Sequence, residues 1–180
     1  PREEFLRVID VGTGSGAIAI AVACNSPQSV IYATDVRCAA LMVADINRRR
    51  HGVSNRVHLC QGDLLKFLNL PADVIVSNPP YICTEEIPKL SAEVKQEPRC
   101  ALDGGVDGLE VTRRFLRQAS ALIRPGGLIL LEIAPQALEQ VRQLALHFMP
   151  GGCVSFAKDL MGLPRVVMIS HPEGDGDAVY

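Results

Sequence analysis

The sequence is poor in aromatic residues and contains no tryptophan. Aromatic residues make up 4% of its 180 residues, and its 18 Lys and Arg do not exceed its 20 Asp and Glu. Nucleic-acid-binding proteins usually present a basic face. The formal net charge of -2 therefore argues against a large nucleic-acid footprint. The one dense cationic cluster, residues 48–51, fits a solvated helix end, where cations also suit the helix dipole.

The sequence also lacks paired cysteines and long apolar runs. Its six cysteines lie at positions 24, 38, 60, 83, 100 and 153, with no CxxC pair and no Cys/His cluster at zinc spacing. We therefore expect free thiols, no metal ion and a reducing, cytoplasmic location. No apolar run reaches membrane-spanning length and no signal peptide is recognisable, so we expect no membrane association.

What the sequence does contain is an alternation of strand and helix patterns. Strands are predicted at 5–11, 29–34, 56–60, 72–77 and 128–133, with weaker ones at 154–157 and 165–170. Helices are predicted at 17–24, 38–51, 109–123 and 136–148, with a turn at 125–127. This alternation is typical of an α/β protein with a doubly wound, mostly parallel seven-stranded sheet and helices on both faces. Ligands bind such sheets beyond the carboxyl ends of the strands.

Two segments depart from this alternation. Residues 79–108 have little periodicity and many prolines, glycines and charges, and a loop of that length inside a domain usually carries function. The Gly- and Asp-rich residues 173–180 are predicted to form a flexible tail. Residues 1–172 are expected to be one domain, because a chain of this size suits one substantial core.

Glycines occupy alternate positions after the first predicted strand, in the segment DVGTGSG at 10–16. They permit a sharp turn and the approach of a ligand to main-chain atoms. The third glycine comes one residue earlier than in the GxGxxG motif of nicotinamide enzymes, which favours a nucleoside-type cofactor without a pyrophosphate. Asp10 has two open roles here: it can bind the amino group of a methionine moiety, or it can brace the turn.

Two further acids end the second and third predicted strands. Asp35 can accept hydrogen bonds from both hydroxyls of a ribose, or it can cap the following helix. Asp63 can accept from the exocyclic amine of adenine, with the Leu64 N–H available for a ring nitrogen. The alternative is that Asp63 is a cap or turn residue.

The motif Asn78-Pro79-Pro80-Tyr81 follows the fourth predicted strand. Its prolines fix the backbone and lack N–H donors, which leaves carbonyl oxygens as acceptors. The Asn78 side-chain oxygen is another acceptor, and the Tyr81 ring offers a flat surface. Two acceptors can hold both hydrogens of a planar NH2 group while its nitrogen faces a methyl donor. The alternative is a plain proline turn, but the strand-end position near a cofactor turn favours nitrogen methylation.

The order of these motifs along the chain resembles that of class I amino methyltransferases. The motifs are DVGTGSG at 10–16, the acid at 35, Gly62-Asp63 and the motif at 78–81. The long loop narrows the resemblance. EPRCALDGG at 97–105 and DGL at 107–109 look like the signature of the HemK/PrmC family, as do segments 124–133 and 158–167. That family methylates the glutamine of the GGQ motif in class 1 peptide-chain release factors. The resemblance covers nearly the whole chain.

The resemblance implies a class I methyltransferase, Rossmann-like fold with an antiparallel last strand, S-adenosylmethionine as cofactor and a release factor as protein substrate. The implied cofactor-binding residues are Asp10, Gly12, Thr13, Gly14, Gly16, Asp35, Val36, Asp63, Leu64 and Asn78. The implied catalytic residues are Asn78, Pro79 and Tyr81. The glutamine amide is expected to be held by Asn78 and the Pro79 carbonyl, with Pro80, Tyr81 and Arg99 also on the substrate side.

The sequence departs from the family pattern in three places. Ala134-Pro135 and Leu163-Pro164 stand where family members usually have glycine and a polar residue, respectively. Family members also carry an N-terminal helical domain that helps to dock the release factor, and we expect this chain, which begins at Pro1, to be the catalytic domain alone. It is predicted to be a monomer that binds its cofactor well and its protein substrate poorly.

Two other functions remain as alternatives. An adenine amino methyltransferase acting on DNA or RNA would apply the same acceptors to a flipped base, but it usually needs a basic groove or a target-recognition domain. A non-catalytic cofactor-binding subunit is the weaker alternative, because Asn78 and Tyr81 are intact.

Overall fold

Seven strands form a single sheet in the computed structural model, which describes residues 5–172. The strands are β1 (Leu6–Val11), β2 (Ser29–Asp35), β3 (Val57–Gln61), β4 (Ala72–Ser77), β5 (Ile123–Glu132), β6 (Cys153–Lys158) and β7 (Pro164–Ser170). Their order is β3-β2-β1-β4-β5-β7-β6, and β7 alone runs in the direction opposite to the other six strands. The predicted sheet, with its antiparallel last strand, is confirmed.

Helices lie between most of the parallel strands, whereas β3 and β4 are joined by turns at 62–71. The helices are α1 (Ala17–Asn25), α2 (Cys38–Arg50), α3 (Arg99–Leu102), α4 (Glu110–Ala119) and α5 (Leu138–Phe148), with short 3-10 turns at Ile87–Lys89, Val94–Gln96 and Pro135–Ala137. The six cysteines form no disulfide, as predicted.

The core lies on both faces of the sheet, because successive side chains of a strand point to opposite sides. Val8 of β1 belongs to an apolar cluster with Ala19 and Ala23 of α1. Its neighbour Ile9 belongs to a second, larger cluster with Phe115 of α4 and Val141 of α5. The adjacent apolar residues Val8 and Ile9 of β1 are therefore explained by burial on both faces of the sheet.

Two elements differ clearly from the sequence prediction. The helix predicted to reach residue 123 ends at Ala119, because the Leu122 carbonyl accepts from Ala72 N–H and draws the chain into the sheet. The predicted turn at 125–127 lies inside β5 as a bulge: Ile123 pairs with Ala72 and Leu128 with Val74, so residues 124–127 stand opposite Asp73.

The loop at 79–108 is more regular than its sequence indicates, since it contains α3 and two of the 3-10 turns. The predicted tail at 173–180 lies outside the described residues.

Candidate active site

The glycine turn lies at the carboxyl end of β1 and is tied to β2. The N–H groups of Gly12 and Thr13 both donate to the Thr34 carbonyl at 2.9 Å. Gly12 and Gly14 have φ values of 73° and 56°, a region that side chains disfavour. A Cβ added at either residue would meet no atom within 4 Å, so conformation rather than crowding requires these glycines. The turn therefore leaves open space above its backbone.

Gly16, the third glycine, has a packing role. A Cβ at this position would lie 3.1 Å from Ile20 Cδ1 and 3.2 Å from Ala44 Cβ. Its absence lets the start of α1 approach α2 closely. The structure thus gives Gly16 a reason that does not depend on a ligand, and its predicted cofactor contact stays a prediction.

Asp10 is almost fully buried beneath the turn, with 1% of its surface exposed. Its Oδ2 accepts hydrogen bonds from Thr13 Oγ1 at 2.6 Å and Ala19 N–H at 3.1 Å. Its Oδ1 has no partner within residues 5–172. Burial raises the pKa of this carboxyl to about 6, although the hydrogen bonds from Thr13 and Ala19 lower it. Asp10 therefore braces the turn and keeps one oxygen available.

Asp35 connects the glycine turn to the beginning of α2. Its Oδ2 accepts from Gly14 N–H at 2.9 Å, and its Oδ1 accepts from Arg37 N–H at 2.8 Å. Each carboxylate oxygen has a second lone pair, so these bonds leave acceptor capacity for a diol. Val36, the neighbouring predicted contact, is more than half exposed.

Asp63 is engaged by two cations. Lys66 Nζ lies 2.9 Å from its Oδ2, and Arg114 of α4 pairs with the same oxygen. The hydrogen bond from Lys66 is the main reason that the pKa of this carboxyl is lowered. A ligand amine would have to share the carboxylate with both side chains. Leu64 follows with φ 55°, a conformation that is uncommon for residues other than glycine.

Asn78 and the glycine turn lie at the same level on neighbouring strands. Ser77 pairs with Val11 in the parallel β1–β4 register, and its buried hydroxyl donates to the Val11 carbonyl at 2.9 Å. Asn78 follows Ser77 at the end of β4, and Gly12 follows Val11 at the end of β1. The acceptor motif and the glycine turn therefore begin about one strand spacing apart, roughly 5 Å. Asn78 is exposed, Pro79 is buried, and Tyr81 is half-buried.

A backbone bridge fastens the end of this motif to the loop that follows α3. Ile82 N–H donates to the Leu102 carbonyl at 3.0 Å, and Gly104 N–H donates to the Ile82 carbonyl at 2.8 Å. Ile82 and Asp103 thereby form an isolated parallel bridge. Thr84 N–H adds a bond of 2.9 Å to the Gly105 carbonyl.

Two loop glycines are required because the loop lies against Tyr81. A Cβ on Gly104 would lie 2.8 Å from Tyr81 Cα, and a Cβ on Gly108 would lie 2.5 Å from the Tyr81 carbonyl oxygen. Such approaches essentially never occur between real atoms, so a side chain at either position would displace the loop or Tyr81. The glycines of the ALDGG and DGL segments therefore set the position of the acceptor motif.

Asp103 organises the loop, and sequence reasoning did not single it out. Its Oδ1 accepts from Thr84 Oγ1 at 2.6 Å and from Gly105 N–H at 3.1 Å, and its Oδ2 accepts from Arg99 Nε at 3.0 Å. These bonds, with Thr84 first, hold the pKa of the Asp103 carboxyl below its usual value. The feature of the sequence that could have indicated this role is the position of an acid directly before Gly104. Arg99 is exposed and contacts Asp103, so its predicted substrate contact stays a prediction.

Other kinds of site are not indicated by residues 5–172. No group of three or more His, Cys, Asp or Glu in that range is arranged to hold a metal ion. None of the helices described there combines the length and apolar character needed to cross a membrane.

The strand order and the motifs at the carboxyl ends of β1, β2 and β4 define a class I methyltransferase fold. The chain belongs to the methyltransferase small domain family, whose model matches residues 1–97. A methyltransferase from Pyrococcus furiosus shares the fold, with a TM-score of 0.68 and 20% identity over 92% of this chain and 74% of that one.

Relatives with assigned activities are closer in sequence. The chain is 50% identical over 143 residues to a release factor glutamine methyltransferase of Moorella thermoacetica, covering 79% of this chain and 50% of the relative. It is 44% identical over 128 residues to a ribosomal protein uL3 glutamine methyltransferase of Bradyrhizobium diazoefficiens, covering 71% of this chain and 40% of the relative. The predicted HemK/PrmC resemblance is thereby confirmed. The chain spans about half the length, or less, of these two relatives.

Proposed function

We propose that this chain transfers a methyl group from S-adenosylmethionine to the side-chain amide nitrogen of the GGQ glutamine in class 1 peptide-chain release factors. The observation that carries the proposal is the position of Asn78 next to the glycine turn, with Tyr81 held by the bridged loop. Similarity to release factor glutamine methyltransferases supports the choice of acceptor.

The residues around the glycine turn fit S-adenosylmethionine. The open space above Gly12 and Gly14 leaves room for a ligand, and the unpartnered Asp10 Oδ1 suits an amino group. Asp35 would hold the ribose beside Val36, and Asp63 with Leu64 would lie by the adenine. Thr13 and Gly16 complete the turn at the methionine end. When bound, this cofactor supplies an electrophilic methyl group on a sulfonium.

The acceptor nitrogen is a poor nucleophile, because its lone pair is delocalised into the amide. The Asn78 side-chain oxygen and the Pro79 carbonyl would accept its two N–H hydrogens, which orients the nitrogen and returns electron density to it. Pro80 and Tyr81 would border the bound side chain. Correct orientation alone can contribute about 7–11 kcal/mol to lowering such a barrier.

The reaction balances without a dedicated base. A nitrogen–carbon bond forms as the carbon–sulfur bond breaks, and one amide proton passes to water because alkylation makes it acidic. The products are a methylated glutamine and S-adenosylhomocysteine. A monomeric state and a cytoplasmic location stay predictions.

The test uses methyl-labelled S-adenosylmethionine with three acceptors: a class 1 release factor, ribosomal protein uL3 and DNA. We expect label on the release factor and none when its GGQ glutamine is replaced by alanine. Labelled DNA beside an unlabelled release factor would contradict the proposal. Label on uL3 alone would move the acceptor to the glutamine of another protein, the substrate named for one of the relatives.

A further inference from the structure

The hairpin that joins β6 to β7 exposes three apolar side chains. Leu160 is fully exposed at 107%, Met161 is 85% exposed and Leu163 is 44% exposed. We call residues 159–163 the hairpin tip. Burying side chains of this kind is favourable, and large exposed apolar patches are preferred places of contact with other molecules.

The hairpin tip is held in one conformation by Asp159. Its Oδ1 accepts from Met161 N–H at 2.9 Å and from Leu163 N–H at 3.0 Å. Its main chain adds bonds to Leu163 and Gly162, at 2.8 Å and 2.9 Å. Arg165 also reaches Asp159 Oδ2, at 3.2 Å. The apolar side chains are therefore displayed by an ordered turn, which reduces the entropy lost when a partner binds.

The hairpin tip projects from the same edge of the sheet as the acceptor motif. Leu131 of β5 pairs with Ser77 of β4 on one side and with Val167 of β7 on the other. Since β7 is antiparallel, its first residues lie at the level of Asn78, and the tip extends beyond them. Only β5 separates the two strands, so they stand two strand spacings apart, about 10 Å.

We infer that the hairpin tip is a docking contact for the protein that delivers the acceptor glutamine, an inference that rests on the proposed function. The occupant is an apolar patch on the release factor, beside its glutamine-bearing loop. A protein fits this surface because the exposed groups are apolar, whereas nucleic acid is bound mainly through cations on its phosphates. Arg165, in β7 just beyond the hairpin tip, is paired with Asp159.

The chain also offers a matched control surface. Met42 and Ile46 of α2 are 65% and 53% exposed, comparable in size and character to the tip residues. Helix α2 packs on β2 and β3, on the other half of the sheet from β7. Loss of apolar side chains there leaves the hairpin tip unchanged.

The experiment compares the unaltered chain, the double variant Leu160→Ser/Met161→Ser and the control Met42→Ser/Ile46→Ser. The KM for the release factor, turnover at saturation and the affinity for S-adenosylmethionine are measured for each. We expect the tip variant to raise the KM for the release factor about 10- to 100-fold, as expected from losing two buried apolar contacts. Turnover at saturation and cofactor affinity should match those of the control. A photo-crosslinking residue at position 161 should label the release factor.

The outcomes separate the two proposals. If the unaltered chain does not methylate the release factor, the proposed function and this inference both fail. If it does, and the tip variant has an unchanged KM with no crosslink at position 161, the docking contact alone is wrong. A KM that rises only in the α2 variant would move the docking surface to the opposite half of the sheet. A tip-dependent dimer in sedimentation, without a change in KM, would assign the tip to self-association.

Discussion

The two halves of the candidate site are built from different kinds of contact. The predicted cofactor half, at the ends of β1, β2 and β3, relies on side-chain carboxyls, the buried Asp10 and the half-buried Asp35, which accept hydrogen bonds from the glycine turn. The acceptor half, around Asn78, depends on a bridge between Ile82 and Asp103, which are 21 positions apart. A change in one half should therefore affect cofactor binding, whereas a change in the other should affect turnover.

The largest effect is expected at the acceptor itself. Asn78→Ala removes one of the two proposed amide acceptors, and we expect turnover to fall about 100-fold or more. Cofactor affinity, measured by calorimetry, should stay within about twofold, because the side chain acts mainly on the acceptor. Asn69→Ala, at an exposed site outside the motifs, is the control. A collapse of cofactor binding in the Asn78 variant would show that the two halves are not separable.

A smaller loss is expected when the loop is displaced. Gly108→Ala places a Cβ 2.5 Å from the Tyr81 carbonyl oxygen, so the acceptor motif must shift. We expect turnover to fall roughly 10- to 100-fold, since a shift of about 1 Å can have that effect.

Gly52→Ala is the matched control for the loop variant. Gly52 also has a positive φ, of 68°, but its Cβ would meet nothing within 4 Å. Both variants should lose about 1 kcal/mol of stability from backbone strain, and Gly108→Ala should lose more because its Cβ also displaces the loop. Equal turnover in the two variants would disprove the positioning role of the loop.

A substitution in the cofactor half should have the opposite pattern of effects, on cofactor affinity and not on turnover. Asp35→Ala removes the link from Gly14 to Arg37 and the proposed ribose acceptor, and we expect cofactor affinity to fall about tenfold. Turnover at saturating cofactor and acceptor should change much less. If turnover fell and cofactor affinity held, the assignment of roles would be reversed.

The smallest expected effect is a change in pH dependence. Because burial raises the pKa of Asp10 to about 6, the folded chain holds a proton between pH 4 and 6 that the unfolded chain, with a pKa near 3.8, has lost. This group's stabilisation is fully present below about pH 4 and is lost as pH rises through about 6. Asp10→Asn should remove this loss of stability at higher pH. The Tm of the variant should therefore rise relative to that of the unaltered chain by roughly 5 °C from pH 4 to pH 7. A constant difference would mean that Asp10 does not titrate in this range.

The sequence predicted local turns better than the contacts that hold the candidate site together, and the reason is the range of the interactions. Alternate glycines after a strand determine a turn locally, so 10–16 could be placed without knowledge of the fold. The bond between Thr84 and Asp103 joins residues 19 positions apart, and the pair between Asp63 and Arg114 joins residues 51 apart. Partners this distant follow from the tertiary fold, and no local pattern indicates them.

The strand boundaries show the same limit. Residues 125–127 have the composition of a turn and do bend the chain, but pairing of Ile123 with Ala72 places them inside β5. Arg124 also reaches Asp73 at 2.7 Å. The sheet therefore overrides the local preference of the segment.

The bridge between Ile82 and Asp103 has a consequence for how the chain can vary. The segment 83–102 begins and ends at the bridge between Ile82 and Asp103. Its two ends are therefore held together by the bridge and not by the residues between them. Closing a longer loop raises the entropic penalty only slowly with length. Insertions or replacements inside 85–97 should therefore leave Tyr81 in place, which would allow related chains to diversify this segment while keeping one methyl-transfer site.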